Sequence, residues 1–213
     1  MSGAPTRLEP EFFDSLETRD PERRENEQLS ALAAQVANAQ ANAPAFAERL
    51  RGIDAASIDS RAALARLPVL RKHELLERQA AARAGDAFGG FATIGWGRER
   101  DPARRAARVF ASPGPIHEPE RARADYWRMG RALFAAGFRA GDLVHNSFSY
   151  HFTPAGAMME SGAQAIGCTV FPAGTGQTEL QAQAMATLRP DAYVGTPSFL
   201  RLLLEKADDL GIA

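Results

Sequence analysis

Cysteine is nearly absent: the 213 residues hold one, Cys168. A disulfide within the chain is therefore excluded, and the usage fits a reducing compartment. Neither sign of charge dominates, since 25 Lys and Arg stand against 26 Asp and Glu, a formal net charge of −1. That balance gives no basic field for nucleic acid and no polybasic patch for a membrane. No apolar run approaches the roughly 20 residues that span a bilayer. The N-terminus, MSGAPTRLEPEFFDSLETRDPERRENE, lacks the apolar core of a signal peptide. His73, His117, His145 and His151 have no metal-ligand spacing, and no G-x-S-x-G elbow occurs. Gly174-Thr175-Gly176 opens a dinucleotide fingerprint, but its third glycine position holds Glu179. These absences lead to the expectation of a soluble, cytoplasmic protein with no nucleic-acid, membrane or metal site.

What is present divides into two periodicities. Leu29, Leu32, Ala33, Val36, Ala37 and Gln40 recur at three-four spacing, so residues 25–41 are expected as one amphipathic helix. Pro44 permits a short helix closed by Gly52, Ser60 can cap RAALARL, and Pro68 separates that turn from VLRKHELLERQ. Residues 1–83 are read as a helical N-terminal region and 84–213 as an α/β subdomain. Between them the glycine-rich stretch 84–108 reads as a connector in which FATIGW is a strand.

In the second half, a helix is expected from about Pro119 to Gly137, followed by the strand DLVHNS. Thr153-Pro154 opens a helix that Gly167 ends, and CTVFPA is the next strand. Thr178 and Gln181 have capping-box spacing for a helix that stops before Arg189-Pro190; DAYVG and a helix from Thr196-Pro197 follow. Alternating strands and helices with short links build a parallel sheet, and such sheets bind ligands beyond the carboxyl ends of their strands. Three segments then share one rim: 147–152, 172–176 and 195–198. Cys168, His145 and the Met158-Met159 pair read as core. The rim glycines and threonines also have a plain structural reading, as backbone turns and caps.

The stretch ASPGPIHEPE, residues 111–120, follows the apolar run Val109-Phe110-Ala111. A glycine after a strand often marks a loop that wraps a phosphate. This loop carries one serine, three prolines and two glutamates, and no lysine.

The run from Ala132 through Ala207, with the earlier IDSRAALARLPVLRKHELLE, resembles the phenylacetate–coenzyme A ligase family of adenylate-forming enzymes. The resemblance extends from about Leu29 to Ala207 and is most specific over Gly137 to Pro197. It implies activation of a small-molecule carboxylic acid by ATP with magnesium, giving an acyl-adenylate and pyrophosphate, then transfer of the acyl group to coenzyme A. It also implies an incomplete large domain whose partner is a missing C-terminal portion or, alternatively, a second copy in a homodimer. On this resemblance Tyr150, Phe152, Pro154, Gly174, Thr175 and Gly176 line the acyl pocket, while Ser112, Gly114 and His117 face phosphate. No catalytic residue follows from it. The family's loop, S-S-G-T-T-G-K-P, is matched at Ser112, Gly114 and Pro119 only; Pro113, Pro115, Ile116, His117 and Glu118 depart from it. The alternative reading is a binding or interaction module that kept the fold without nucleotide chemistry.

Overall fold

The computed structural model describes residues 11–82, 85–96 and 102–212. They form two compact units, one of residues 19–122 and one of residues 11–18 with 123–212. The division expected at residue 84 lies inside the first of these.

The first unit opens with α1 (Pro21–Asn42), whose Asp20 carboxylate caps the Arg23 amide, and with α2 (Pro44–Arg49). Both begin with proline at the first turn, where its missing N–H costs nothing. Ser60 caps α3 (Arg61–Leu64) through the Ala63 amide, as its position predicts. In α4 (Lys72–Ala81), the Glu74 carboxylate returns to the Arg71 amide at 2.6 Å. The expected strand at FATIGW is absent; Gly95 makes one isolated bridge to Arg105. The reason is upstream, where Gly89 and Gly90 take φ of +62° and +80° and turn the chain, Gly90 accepting from the Ala45 amide. Residues 84 and 97–101 of the expected connector lie outside the described residues.

β1 (Ala106–Ser112) and β2 (Ile116–Arg121) form an antiparallel hairpin. This corrects the expected helix from Pro119: the chain leaves the 111–120 loop as a strand. Phe110, Ile116 and Glu120 are buried, while His117, Glu118 and Pro119 are half-buried. Arg108 pairs with Glu120 across the ladder at 2.5 Å.

In the second unit the helix α5 is confined to Gly130–Ala135. Asp125 and Arg128 sit at φ of +45° and +60°, which no helix tolerates, and the Asp125 carboxylate accepts from the amides of Met129 and Gly130. Gly137 follows α5 at φ +102°, and the Phe138 amide closes the turn onto Leu133. Then come β3 (Leu143–Asn146), α6 (Ala155–Ile166), β4 (Thr169–Phe171), α7 (Thr178–Leu188), β5 (Ala192–Val194) and α8 (Pro197–Asp209). The sheet order is β4-β3-β5 with both pairings parallel, as expected. Leu133, Phe138, Val144, Ala163 and Cys168 form its core, with Met129, Met159 and Ile166 packed against them. Gly162 lets α6 approach α5: a Cβ there would lie 2.7 Å from that of Met129.

Helix ends fall where the sequence places them, with two differences in capping. Gly167 ends α6 at φ +100° and Arg189 ends α7 at φ +49°. Pro154, rather than Thr153, occupies the N-cap of α6. The Thr178–Gln181 capping box is not made; Gln177, at φ +51°, precedes α7 and Gln181 turns inward.

Candidate functional site

β3 lies between β4 and β5, although the chain visits it first. The crossover to β4 therefore leaves on one side of β3, and the return to β5 places the chain on the other. The carboxyl end of the central strand, where the order reverses, is the ligand position of open α/β sheets. The residues there are His145, Asn146 and Ser147, exposed by 1%, 0% and 5%.

Each of the three holds a different rim segment. His145 Nε2 meets Gln181 Oε1 at 2.8 Å, and the Gln181 amide nitrogen donates to the carbonyls of Gly174 and Gly176 at 3.0 and 2.7 Å. Because Gln181 Oε1 can only accept, His145 carries its proton on Nε2. The imidazole is stacked on Tyr193, with ring centres 6.0 Å apart, and tilted against Phe171. Asn146 Nδ2 donates to Tyr150 Oη at 2.8 Å and to the Gly156 carbonyl at 2.9 Å, while its Oδ1 accepts from the Phe148 amide. Ser147 Oγ donates to Tyr193 Oη at 2.7 Å, beside Gly195 and Thr196. These polar groups are buried yet satisfied, the condition under which burial is tolerated.

The acyl-pocket residues expected from the sequence all lie on this rim, in unequal settings. Tyr150 is half-buried and anchored by Asn146. Phe152 stands in solvent at 80% exposure, with φ +60°. Pro154 is buried at the start of α6. Gly174 and Gly176 both have positive φ, and Thr175 between them is exposed. Gly156 permits the Tyr150 ring to lie close: a Cβ there would be 2.8 Å from Tyr150 Cδ2.

The expected phosphate residues lie in the other unit, at the tip of the β1–β2 hairpin. Ser112 pairs with Ile116, leaving Pro113-Gly114-Pro115 as the turn, with a cis bond before Pro115. Ser112 Oγ donates to the Ile116 carbonyl at 3.4 Å. The side chain of Gln79, buried on α4, clamps the His117 backbone from both sides, accepting its N–H at 2.9 Å and donating to its carbonyl at 3.1 Å. Gly114 and His117 line a cavity of about 320 Å³ with Leu76, Ala80 and Pro115. Ser112 is not among its lining residues. Of the nearby arginines, Arg108 is paired with Glu120 and Arg104 with Asn42.

Burial raises the Cys168 thiol pKa, with Asp142 adding to the shift; Sγ lies 3.2 Å from the Arg139 carbonyl in the core. Among the described residues no group of three His, Cys, Asp or Glu side chains could hold a metal ion. Nor is any described helix long and apolar enough to cross a membrane.

Gln181 and Asn146 lie outside the expected rim segments, whereas Ser147 opens the first of them. A signal existed in LVHNS: the two apolar residues that open β3 give way to three polar ones at its exit. Buried polar groups at the mouth of a parallel sheet mark organising residues.

No protein-family model matches the chain. The phenylacetate-coenzyme A ligase of Aromatoleum evansii is 32% identical over 194 residues, 87% of this chain and 41% of that protein. The Pseudomonas putida phenylacetate-coenzyme A ligase is 29% identical over 210 residues, 94% of this chain and 44% of that protein. The chain belongs to the phenylacetate–coenzyme A ligase family. It spans about two fifths of the length of these curated relatives. A crystal structure of 2-hydroxyisobutyryl-CoA ligase with 2-HIB-AMP, in the postadenylation state, superposes with a TM-score of 0.78 at 24% identity, over 90% of this chain and 40% of that one. The same ligase with 2-HIB-AMP and CoA, in its thioesterification state, gives 0.78 over 92% and 42%. At this identity the likeness establishes the fold, which is that of the adenylate-forming ligases.

Proposed function

We propose that this phenylacetate–coenzyme A ligase relative forms the acid-binding part of an AMP-forming acyl- or aryl-CoA ligase. Its rim, built on His145, Asn146 and Ser147, would receive a carboxylic acid of the phenylacetate class. The observation that carries this reading is the match to a phenylacetate-coenzyme A ligase over 87% of the chain. In such chemistry the carboxylate attacks the α-phosphorus of ATP and pyrophosphate leaves; a coenzyme A thiol then displaces AMP from the acyl-adenylate. The carboxylate is already ionised at neutral pH, so this half of the reaction needs no general base from the chain.

The hairpin turn does not fit a triphosphate. Pro113-Gly114-Pro115 has a single amide N–H, that of Gly114, because proline has none. The neighbouring cavity includes Leu76, Ala80, Ala87 and Pro115, which suit apolar contact rather than phosphate. We therefore assign no step of the nucleotide chemistry to this chain. This turn also favours the second reading, a module that keeps the fold without nucleotide chemistry.

The test is titration of the 213-residue chain with phenylacetate, followed by backbone NMR, and calorimetry with magnesium-ATP. Phenylacetate should move amides in 147–152, 173–176 and 195–198 together. Magnesium-ATP should bind more weakly than about 1 mM, since each missing charged hydrogen bond costs about 1.5–3 kcal/mol. No rim shifts with phenylacetate would refute acid binding, and micromolar ATP binding would refute the account of the turn.

A further inference from the structure

The loop 173–176 is expected to form one wall of the acid pocket, yet its tip is solvent-exposed and holds two glycines. Glycines alone would leave such a loop free to move, because their backbones cross readily between left- and right-handed regions. Four hydrogen bonds set its path instead, the first from the Ala173 amide to the Phe171 carbonyl at 3.0 Å. The Gly174 amide donates to the Asn146 carbonyl at 3.0 Å, tying the loop to the end of β3. The Gly174 and Gly176 carbonyls both accept from the Gln181 amide nitrogen. With both carbonyls drawn inward, Thr175 between them is left exposed at the rim.

Gln181 itself has little freedom. It is 3% exposed, on the first turn of α7, and both of its amide hydrogens are used. Its oxygen faces His145, and that imidazole is held between Phe171 and Tyr193. The chain of contacts runs from a fully packed strand, through one amide, to the loop. Only a side chain with two donors and one acceptor in a plane completes it, and asparagine is a methylene too short.

We propose that Gln181 is the positioning residue of the rim: its amide, oriented by His145, sets the path of Ala173–Gly176 and with it the pocket wall presented to an aryl carboxylate. This rests on the reading of the rim as the acid pocket. Gln181 does not touch the acid; it acts through Gly174 and Gly176.

Two variants separate its functions. Gln181→Glu keeps an acceptor for His145 and loses both donors to the loop. Gln181→Met loses all three interactions, with nearly the same volume and no charge, and decides the question if the buried carboxylate unfolds the first variant. In both, amide exchange of residues 174–178 should rise about tenfold while that of β3 stays unchanged, and phenylacetate affinity should fall about tenfold, the worth of one hydrogen bond. The side-chain nitrogen shifts of His145 should retain the Nε2–H tautomer in Gln181→Glu and lose that preference in Gln181→Met. Unchanged exchange in the loop, or a loosened loop with unchanged affinity, overturns the proposal. The two readings fail differently. A wild-type chain whose rim amides do not respond to phenylacetate refutes acid binding, and the pocket wall with it. A wild-type response that both variants reproduce at the same affinity refutes the proposal alone.

Discussion

Replacing Asn146 by alanine tests whether the end of β3 organises the rim. Asn146 is fully buried and its side chain makes three hydrogen bonds: to Tyr150 Oη, to the Gly156 carbonyl and from the Phe148 amide. Tyr150 and Phe148 are half-buried and can turn to water, so their losses should be near the usual net value of about 1 kcal/mol each. Gly156 is buried and its carbonyl loses a partner that water cannot replace, and the side-chain volume leaves a small void. Together these give about 3 kcal/mol, a large share of the roughly 5–15 kcal/mol that holds a domain together. In urea unfolding followed by circular dichroism, the midpoint should fall by about 1–2 M at unchanged slope. Asn146→Asp discriminates further. It retains an acceptor for the Phe148 amide but has no donor while ionised, and it buries a charge. Burial should raise the pKa of that carboxyl in the folded state, so the variant should regain stability as pH falls and the acid binds its proton. A loss below about 0.5 kcal/mol in Asn146→Ala would mean that Tyr150 and α6 keep their places without it, and the account of the rim would fail.

Three further outcomes follow from single contacts. Gly195→Ala should cost about 1–3 kcal/mol, because its Cβ would fall 2.0 Å from Ser147 Oγ and 2.3 Å from Tyr193 Oη; the penalty should shrink in a Ser147→Ala, Tyr193→Phe background, measured by the same unfolding assay. Burial raises the Cys168 thiol pKa, so its contribution to stability is complete below the pKa of the unfolded thiol, about 8.5, and is lost as pH rises above it; urea midpoints taken from pH 7 to 10 should fall, and Cys168→Ala should remove that part of the decline. Phe152→Gly should leave stability unchanged or raise it by up to about 1 kcal/mol, since an exposed ring is lost and a positive φ is relieved; a loss of stability would contradict the exposed setting of Phe152.

Much of the second unit was legible in the sequence because its punctuation is local. Gly137, Gly167 and Thr196-Pro197 act within a few residues of themselves, and helix ends fall beside each. The order of strands and helices follows from the same marks. The region before it was misread where tertiary pairing decides. Val109-Phe110-Ala111 faces Pro119, Glu118 and His117 in turn across a ladder, and nothing in HEPERARAD announces that partner. A helical reading of that stretch also requires Asp125 and Arg128 to be helical, whereas both sit at positive φ and Asp125 caps α5 from five residues upstream. Spacing alone marks Gln181 as a capping partner, because it cannot tell an outward-facing side chain from one turned to a buried histidine.

The rim segments were placed together correctly by topology, but what holds them together is not a topological matter. In the order β4-β3-β5 only the central strand borders both neighbours. Among the described strands, its last residues therefore reach the loops after β4 and β5 and its own exit at once. An edge strand could hold at most two of the three. This explains why polar side chains sit at His145, Asn146 and Ser147, where burial would otherwise favour apolar ones: each converts a loop that leaves the sheet in its own direction into part of a common wall. At the β1–β2 hairpin the buried Gln79 side chain holds the His117 backbone, but the proline-rich turn beside it offers a single amide. The buried hydrogen bonds of the rim thus order three loops, whereas those of Gln79 leave the Pro113–Pro115 turn with one donor and a largely apolar neighbour.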